Sequence, residues 1–393
     1  MKTLARKRRL LYWLMLPCLV AGAIAVSGFA FLAPSIGSLP EGDRLRRIER
    51  SPNYHLGEFR NQVPTSVIVD KSADPEPEAR LKPSRPLPMI KTDLHALDRN
   101  RDLVVWLGHS SYFIQLGGKR ILIDPVFSEH LSPIPLVFSA FDGDYPYSVA
   151  DIPEIDVLLI SHDHWDHLDR PTLLGLQPRI KRIICPLGVG AHLERWGFAS
   201  SVVTEADWNQ KFELGPGFAI HVLPARHFSG RALTRNKSLW AGYLLASTQR
   251  KIFYSGDSGY GPHFADTGRK FGPIDLAIMD NGQYDPRWAQ IHMAPEEVSK
   301  ATSDLKARAL LPGHSGRFSL ANHAWDDPYR RVELASRDKP FTLMTPRIGD
   351  LAWLDEPTQS FAKWWEQSGP RDAEAQRSLS LGLLMRRPQS NQE

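Results

Sequence analysis

Cysteine is scarce: Cys18 and Cys185 are the only two in 393 residues. Cys18 falls in an apolar run and Cys185 in an expected strand, so they offer no disulfide framework, and two thiols do not decide the redox compartment. Pro17 directly before Cys18 also argues against a lipid-modified cysteine, whose processing wants a small residue there. A concentrated basic face is missing too. The formal charge of +4 contains five positive charges from Lys2, Arg6, Lys7, Arg8 and Arg9, which leaves −1 for everything after them. Nucleic-acid binding needs clustered cations to displace phosphate counterions, so a nuclease is disfavoured. Short runs such as Arg44 to Arg47 read as solvated surface. No internal repeat of fixed short period is present.

What the chain does have is an ordinary globular composition, 42% hydrophobic and 23% charged, with enough length for a large α/β domain and extensions. No residue from Leu10 to Gly37 is charged. A bilayer span takes about 20 residues. Basic residues ahead of the run keep the amino terminus in the cytoplasm and send the rest across. The reading is an uncleaved anchor, with a signal peptide cleaved near Ala23-Ile24-Ala25 as the competitor. Either way residues 1–37 are a membrane anchor or signal segment and the remainder is exported, giving a single-pass inner-membrane protein with its main domain in the periplasm.

Residues 38–98 are proline-rich and charged, a linker or an irregular wrap around the domain. Residues 99–350 hold the main domain, and 351–393 a C-terminal extension and tail whose end, Arg371 to Arg377 and Ser390 to Glu393, looks frayed. Within the main domain, apolar runs predict strands at 103–107, 112–116, 120–123, 156–160, 182–185, 218–223, 239–246, 251–255, 274–279, 308–311 and 341–344. Gly117-Gly118 reads as a tight hairpin turn. Helices are expected at 187–197 and at 295–306, the latter opened by Pro295 with Glu296 and Glu297 in its first turn. Strands gathered early and late, with helices between, suggest two sheets packed face to face with helices outside.

Directly after the apolar Val157-Leu158-Leu159-Ile160 comes Ser161-His162-Asp163-His164-Trp165-Asp166-His167. Three of the chain's 14 histidines fall within six positions there. His162 and His164 can close on one ion, and Asp166 and His167 can turn toward a second. Two ions would still be under-coordinated, so later strand ends must contribute. Leu223-Pro224-Ala225-Arg226-His227 ends a strand on histidine, Tyr254-Ser255-Gly256-Asp257 on aspartate, and Leu311-Pro312-Gly313-His314 on histidine. Each is a ligand type that suits zinc, and a carboxylate can bridge two ions.

The order His-x-His-x-Asp-His, His, Gly-Asp, Gly-His resembles the metallo-β-lactamase superfamily over about residues 100 to 345. That resemblance implies a four-layer αβ/βα sandwich with two Zn2+ ions, one held by His162, His164 and His227, the other by Asp166, His167 and His314, and Asp257 bridging both. Further blocks narrow the likeness: Trp106-Leu107-Gly108-His109-Ser110, Asp124-Pro125-Val126-Phe127-Ser128, Arg231 to Trp240, Phe271-Gly272-Pro273-Ile274-Asp275-Leu276, Tyr284-Asp285-Pro286-Arg287-Trp288, His292-Met293-Ala294-Pro295-Glu296-Glu297 and Phe318-Ser319-Leu320-Ala321-Asn322. They resemble the N-acyl-phosphatidylethanolamine-hydrolysing phospholipases D and their bacterial relatives. The resemblance implies a phosphodiesterase acting on such a lipid through a hydroxide shared by the metals, with His292 and Asp257 as the catalytic pair.

Beside that reading stand a lactone or amide hydrolase built on the same site, and a non-catalytic, membrane-anchored metal protein. His109 and Asp124, at strand ends near the presumed rim, are candidates to orient the imidazoles. His130, His192, His221, His263 and His323 read as surface or packing residues. The apolar segment Phe127 to Tyr147 could admit acyl chains or touch a membrane. A homodimer is compatible with this organisation.

Overall fold

The apolar runs singled out in the sequence become strands in the computed structural model, which describes residues 20, 32–69, 75–132, 134, 138–231, 233–356 and 359–367. After a small hairpin of β1 (Tyr54–His55) and β2 (Glu58–Phe59), the first sheet is built from β3 (Leu103–Trp106), β4 (Tyr112–Leu116), β5 (Lys119–Ile123), β6 (Val157–Leu159), β7 (Ile183–Pro186) and β8 (Val203–Ala206). The second holds β9 (Lys211–Glu213), β10 (Ala219–Leu223), β11 (Gly242–Ala246), β12 (Lys251–Tyr254), β13 (Leu276–Asp280), β14 (Ala309–Gly313) and β15 (Thr342–Leu343). A last strand, β16 (Leu351–Trp353), returns to the first sheet and pairs antiparallel with β3. The orders are β16-β3-β4-β5-β6-β7-β8 and β15-β14-β13-β12-β11-β10-β9.

Each sheet has three antiparallel pairings followed by three parallel ones. The turn between β4 and β5 is the expected Gly117-Gly118, and both glycines have positive φ, as a two-residue hairpin whose twist matches its strands requires. The two-residue period of the strands then decides the layers. Tyr243, Leu245, Ile252, Tyr254, Leu276 and Ile278 of the second sheet join the core that also holds the first sheet. Their neighbours Leu244, Phe253, Ala277 and Met279 face the other way, against Phe264, Val298, Ala301, Leu305 and Val332. Those five belong to or adjoin the helices His263–Phe271, Pro295–Asp304 and Asp327–Ser336. Leu173, Leu176 and Leu193, from the helices Arg170–Leu176 and Gly190–Arg195, pack into the first-sheet core. Strands apolar on both faces need cover on both faces, and helix, sheet, sheet, helix supplies it.

The described residues of 38–98 wrap the domain: Ile48, Phe59, Leu87 and Leu94 all enter the main core. Just ahead of it the chain is tied down at successive points. The Trp196 indole donates to Pro34 O at 2.6 Å, Arg231 donates to Ser35 O at 2.9 Å, and Ser38 N–H donates to His192 Nδ1 at 3.1 Å. At the other end, β16 lies past the expected boundary at 350, and Trp364 and Trp365 are buried against Tyr329. The extension therefore completes the sheet and its core. The proposed membrane segment lies mostly outside the described residues, as does the tail from 368; among the described residues no helix is long and apolar enough to cross a membrane.

Candidate metal centre

Strand direction places the site. Because β12, β13 and β14 run parallel side by side, their carboxyl ends share one rim, and Asp257, Asp280 and His314 come off it in turn. β6 ends opposite, delivering His162 to His167, which fold back on themselves as His167 N–H and Leu168 N–H donate to His164 O at 3.2 and 2.9 Å. His227 follows β10 on the same rim. All seven residues expected to hold metal meet there, although up to 152 positions separate them, His162 to His314.

They divide into two sets. His162 Nε2 lies 2.9 Å from His164 Nδ1, and His227 Nε2 lies 3.2 Å from that same atom. Asp257 Oδ2 stands 3.8 Å from His162 Nε2 and 3.7 Å from His227 Nε2. On the other side, His314 Nε2 is 3.2 Å from Asp166 Oδ2 and 3.3 Å from Asp257 Oδ2, while His167 Nε2 is 3.1 Å from Asp257 Oδ1 and 3.5 Å from Asp166 Oδ2. Asp257 is thus common to both. Its approach depends on Gly256, whose φ is +58° and whose added Cβ would fall 2.6 Å from Ala241 O.

The outer nitrogens are held so that the inner ones point into the site. His167 Nδ1 donates to Asp124 at 2.9 Å, His227 Nδ1 to Ile291 O at 3.1 Å and His314 Nδ1 to Asp280 at 3.0 Å. Asp124 is fully buried and also accepts from the Ser161 and Tyr254 hydroxyls at 2.5 and 2.7 Å. His109 Nε2 sits 2.9 Å from Asp166 Oδ2 and braces that carboxylate. Both expected orienting residues are therefore in place. His109, Asp124 and His314 all have left-handed backbones, at φ 51°, 40° and 56°. A non-glycine residue there costs on the order of 1–3 kcal/mol, tolerated where surrounding structure over-determines the conformation.

The donor set asks for a cation. Burial, with the neighbouring imidazoles, pushes His162 well below the ordinary histidine range, and burial pushes His227 down likewise against the pull of Asp257. These rings are neutral, with lone pairs converging on one point. For His167 and His314 burial works downward, but the carboxylates facing them win: Asp257 and Asp166 raise His167 well above its usual value, and Asp257 and Asp280 raise His314 to about 10. Buried His167 Nε2 and Asp257 Oδ1 have no hydrogen-bond partner although they lie 3.1 Å apart. With Nδ1–H given to Asp124, Nε2 faces that carboxylate oxygen across a gap that calls for positive charge, a proton on the ring or a bound cation in its place. Imidazole nitrogens with carboxylate oxygens are the set that zinc and its divalent neighbours prefer.

His292 closes one side. Its ring stacks 5.1 Å from that of His314 and meets His227 edge-on at 5.0 Å. Its Nδ1 donates to Asp280 Oδ2 at 2.8 Å, and Ser258 N–H donates to the same oxygen at 3.1 Å. Asp280, which sequence reasoning did not single out, therefore grips His292 and His314 together. Its signal was available: like the ligands, it ends an apolar strand. An asparagine at 280 has one accepting oxygen and turns N–H toward the other ring, so Asp280→Asn should lower metal affinity or turnover about 10–100-fold. Metal content and kcat measured together check this, and native values for both would remove Asp280 from the site.

A cleft of about 250 Å³ opens over these groups, lined also by Phe228, Gln283, Trp288 and Leu320. His130, His192, His221, His263 and His323 stay out of the convergent sets; His192, for one, is buried against Asp163 at 3.4 Å. In the segment 127–147, Leu131 is buried with Phe318, while Ile134 and Phe138 are half exposed.

Known proteins match this arrangement. The family model "Beta-lactamase superfamily domain" fits residues 119–315, half of the chain. An uncharacterised Mycobacterium tuberculosis protein is 34% identical over 369 residues, covering 88% of this chain and 98% of the relative. N-acyl-phosphatidylethanolamine-hydrolyzing phospholipase D 1 of Caenorhabditis elegans is 31% identical over 281 residues, covering 67% of this chain and 75% of the relative. Among solved structures, the metallo hydrolase Igni18 of Ignicoccus hospitalis superposes with a TM-score of 0.51 at 18% identity, over 64% of this chain and 97% of that one, a likeness of fold. With histidines and aspartates gathered at one rim of two such sheets, the chain belongs to the beta-lactamase superfamily and is a metallo-hydrolase.

Proposed function

We propose that the chain is a phospholipase D-type phosphodiesterase that uses two zinc ions to hydrolyse N-acyl-phosphatidylethanolamine or a related lipid. The observation that carries this reading is the pair of ligand sets sharing Asp257, with His292 braced by Asp280 at the edge of the same cleft. The identity to the Caenorhabditis elegans phospholipase supports the substrate class. His162, His164 and His227 would hold one ion and Asp166, His167 and His314 the other, with Asp257 between. Bound zinc supplies Lewis acidity and a water acidic enough to be a nucleophile near neutral pH.

The chain's own residues do the rest. Water oxygen joins phosphorus as the bond to the leaving oxygen breaks, and the departing alcohol must gain a proton. His292, with Nδ1–H committed to Asp280, has Nε2 left to carry it. Half-exposed Ile68 lines the cleft, and Leu233, two residues before cleft-lining Arg235 in the chain, is fully exposed, which suits a substrate drawn from a lipid layer. Residues 10–37 would keep the protein at the outer face of the inner membrane.

The test combines metal analysis with mass spectrometry of lipid products. We expect about two zinc ions per chain, release of phosphatidic acid, loss of turnover on chelation and its return with zinc. Opening of a lactone without phosphatidic acid release would replace this reading with the lactone hydrolase.

A further inference from the structure

The wall of the cleft between His227 and Trp240 is a pinned loop. Asn236 N–H donates to Ser229 O at 3.0 Å, the Ser229 hydroxyl to Ser238 O at 2.6 Å, and Gly230 N–H to Asp163 Oδ1 at 2.7 Å. Phe228, at its start, lies edge-on to the His164 ring at 4.4 Å. On this frame Arg235 reaches back over Phe228, its guanidinium 5.2 Å from the ring centroid, and lines the cleft.

Position gives this arginine its meaning. Among the described residues lining the cleft, Arg235 is the only lysine or arginine, and Asp166 and Asp257 are the carboxylates. Those carboxylates are occupied with imidazoles deep in the site. Among the described residues Arg235 forms no ion pair. A planar guanidinium that is always charged matches a phosphate oxygen pair well, and stacking on an aromatic ring restricts it beforehand.

We propose, resting on the phosphodiesterase reading, that Arg235 is a specificity-determining residue: it pairs with the negative charge of a phosphodiester and so selects anionic over neutral esters at the same metals. A neutral lactone or amide gains nothing from this contact. Among the described residues the arginine makes no hydrogen bond or ion pair with the histidine and aspartate sets, so its loss should leave metal binding intact.

The experiment titrates diethyl phosphate, an anionic diester, and triethyl phosphate, its neutral counterpart, into the metal-loaded full chain by calorimetry. Arg235→Gln should weaken diethyl phosphate binding about three- to tenfold, with triethyl phosphate unchanged and metal content native. Arg235→Lys should recover most of the loss, and the native preference for the anion should shrink as salt rises. In turnover, Arg235→Gln should raise KM and leave kcat within about twofold. Equal affinity of native and Arg235→Gln protein for diethyl phosphate overturns the proposal. So does an equal loss for both esters, or a native protein without preference for the anion. If the native protein cleaves no phosphodiester while Arg235→Gln still loses anion binding, the functional reading fails and the role of Arg235 stands.

Discussion

Asp257→Ala should cost the protein metal on both sides of its site and lower turnover by at least about a thousandfold, or ~4 kcal/mol of barrier. One carboxylate serves both sets, with Oδ1 3.1 Å from His167 and Oδ2 3.3, 3.7 and 3.8 Å from His314, His227 and His162. Among the described residues no other carboxylate reaches all four rings. Its removal also strips His167 and His314 of the carboxylate that does most to raise them. Metal content by mass spectrometry and kcat, measured on one preparation, check the result. A variant that keeps about two ions and most of its turnover would show that Asp257 does not join the two halves.

The second large effect belongs to His292. Its alanine variant should retain metal and lose about 10²–10⁴-fold in kcat, the usual contribution of a positioned proton carrier. The ring lies against His227 and His314 but among the described residues its one hydrogen-bond partner is Asp280, so deletion leaves the ligand sets standing. A substrate whose leaving group needs no proton, such as a nitrophenyl phosphodiester, should be far less affected. Loss of metal in His292→Ala would instead make it a ligand, a role its grouping with Asp257, Asp280 and His314 permits.

The ligands were legible because each follows an apolar strand that ends in a turn, and parallel β12, β13 and β14 bring such ends together. Asp280 follows the same rule but stands alone, with no histidine or glycine beside it to mark it. Its partnership with His292, 12 positions on, exists only in three dimensions. The long apolar strands were equally plain. β8 (Val203–Ala206) and β9 (Lys211–Glu213) were not, being sheet edges with half-exposed and charged residues and no clean alternation. β16 escaped because three residues carry too little pattern, and β3 across from them sets their conformation. The wrap could not be told from a linker by composition, since Ile48, Phe59, Leu87 and Leu94 are single apolar residues spread through polar sequence.

Arg231 is buried between the incoming chain and the histidine turn. Burial pulls its pKa to about 10 against the support of Asp163 and Asp169, and its guanidinium donates to Ser35 O, to Asp163 O at 2.8 Å and to Leu168 O at 2.9 Å. The same group therefore clasps the incoming chain and both shoulders of the segment that bears His164, Asp166 and His167. One buried side chain thus spans the distance between Ser35 and the histidine turn, so the place where the chain joins the domain is fixed relative to the cleft.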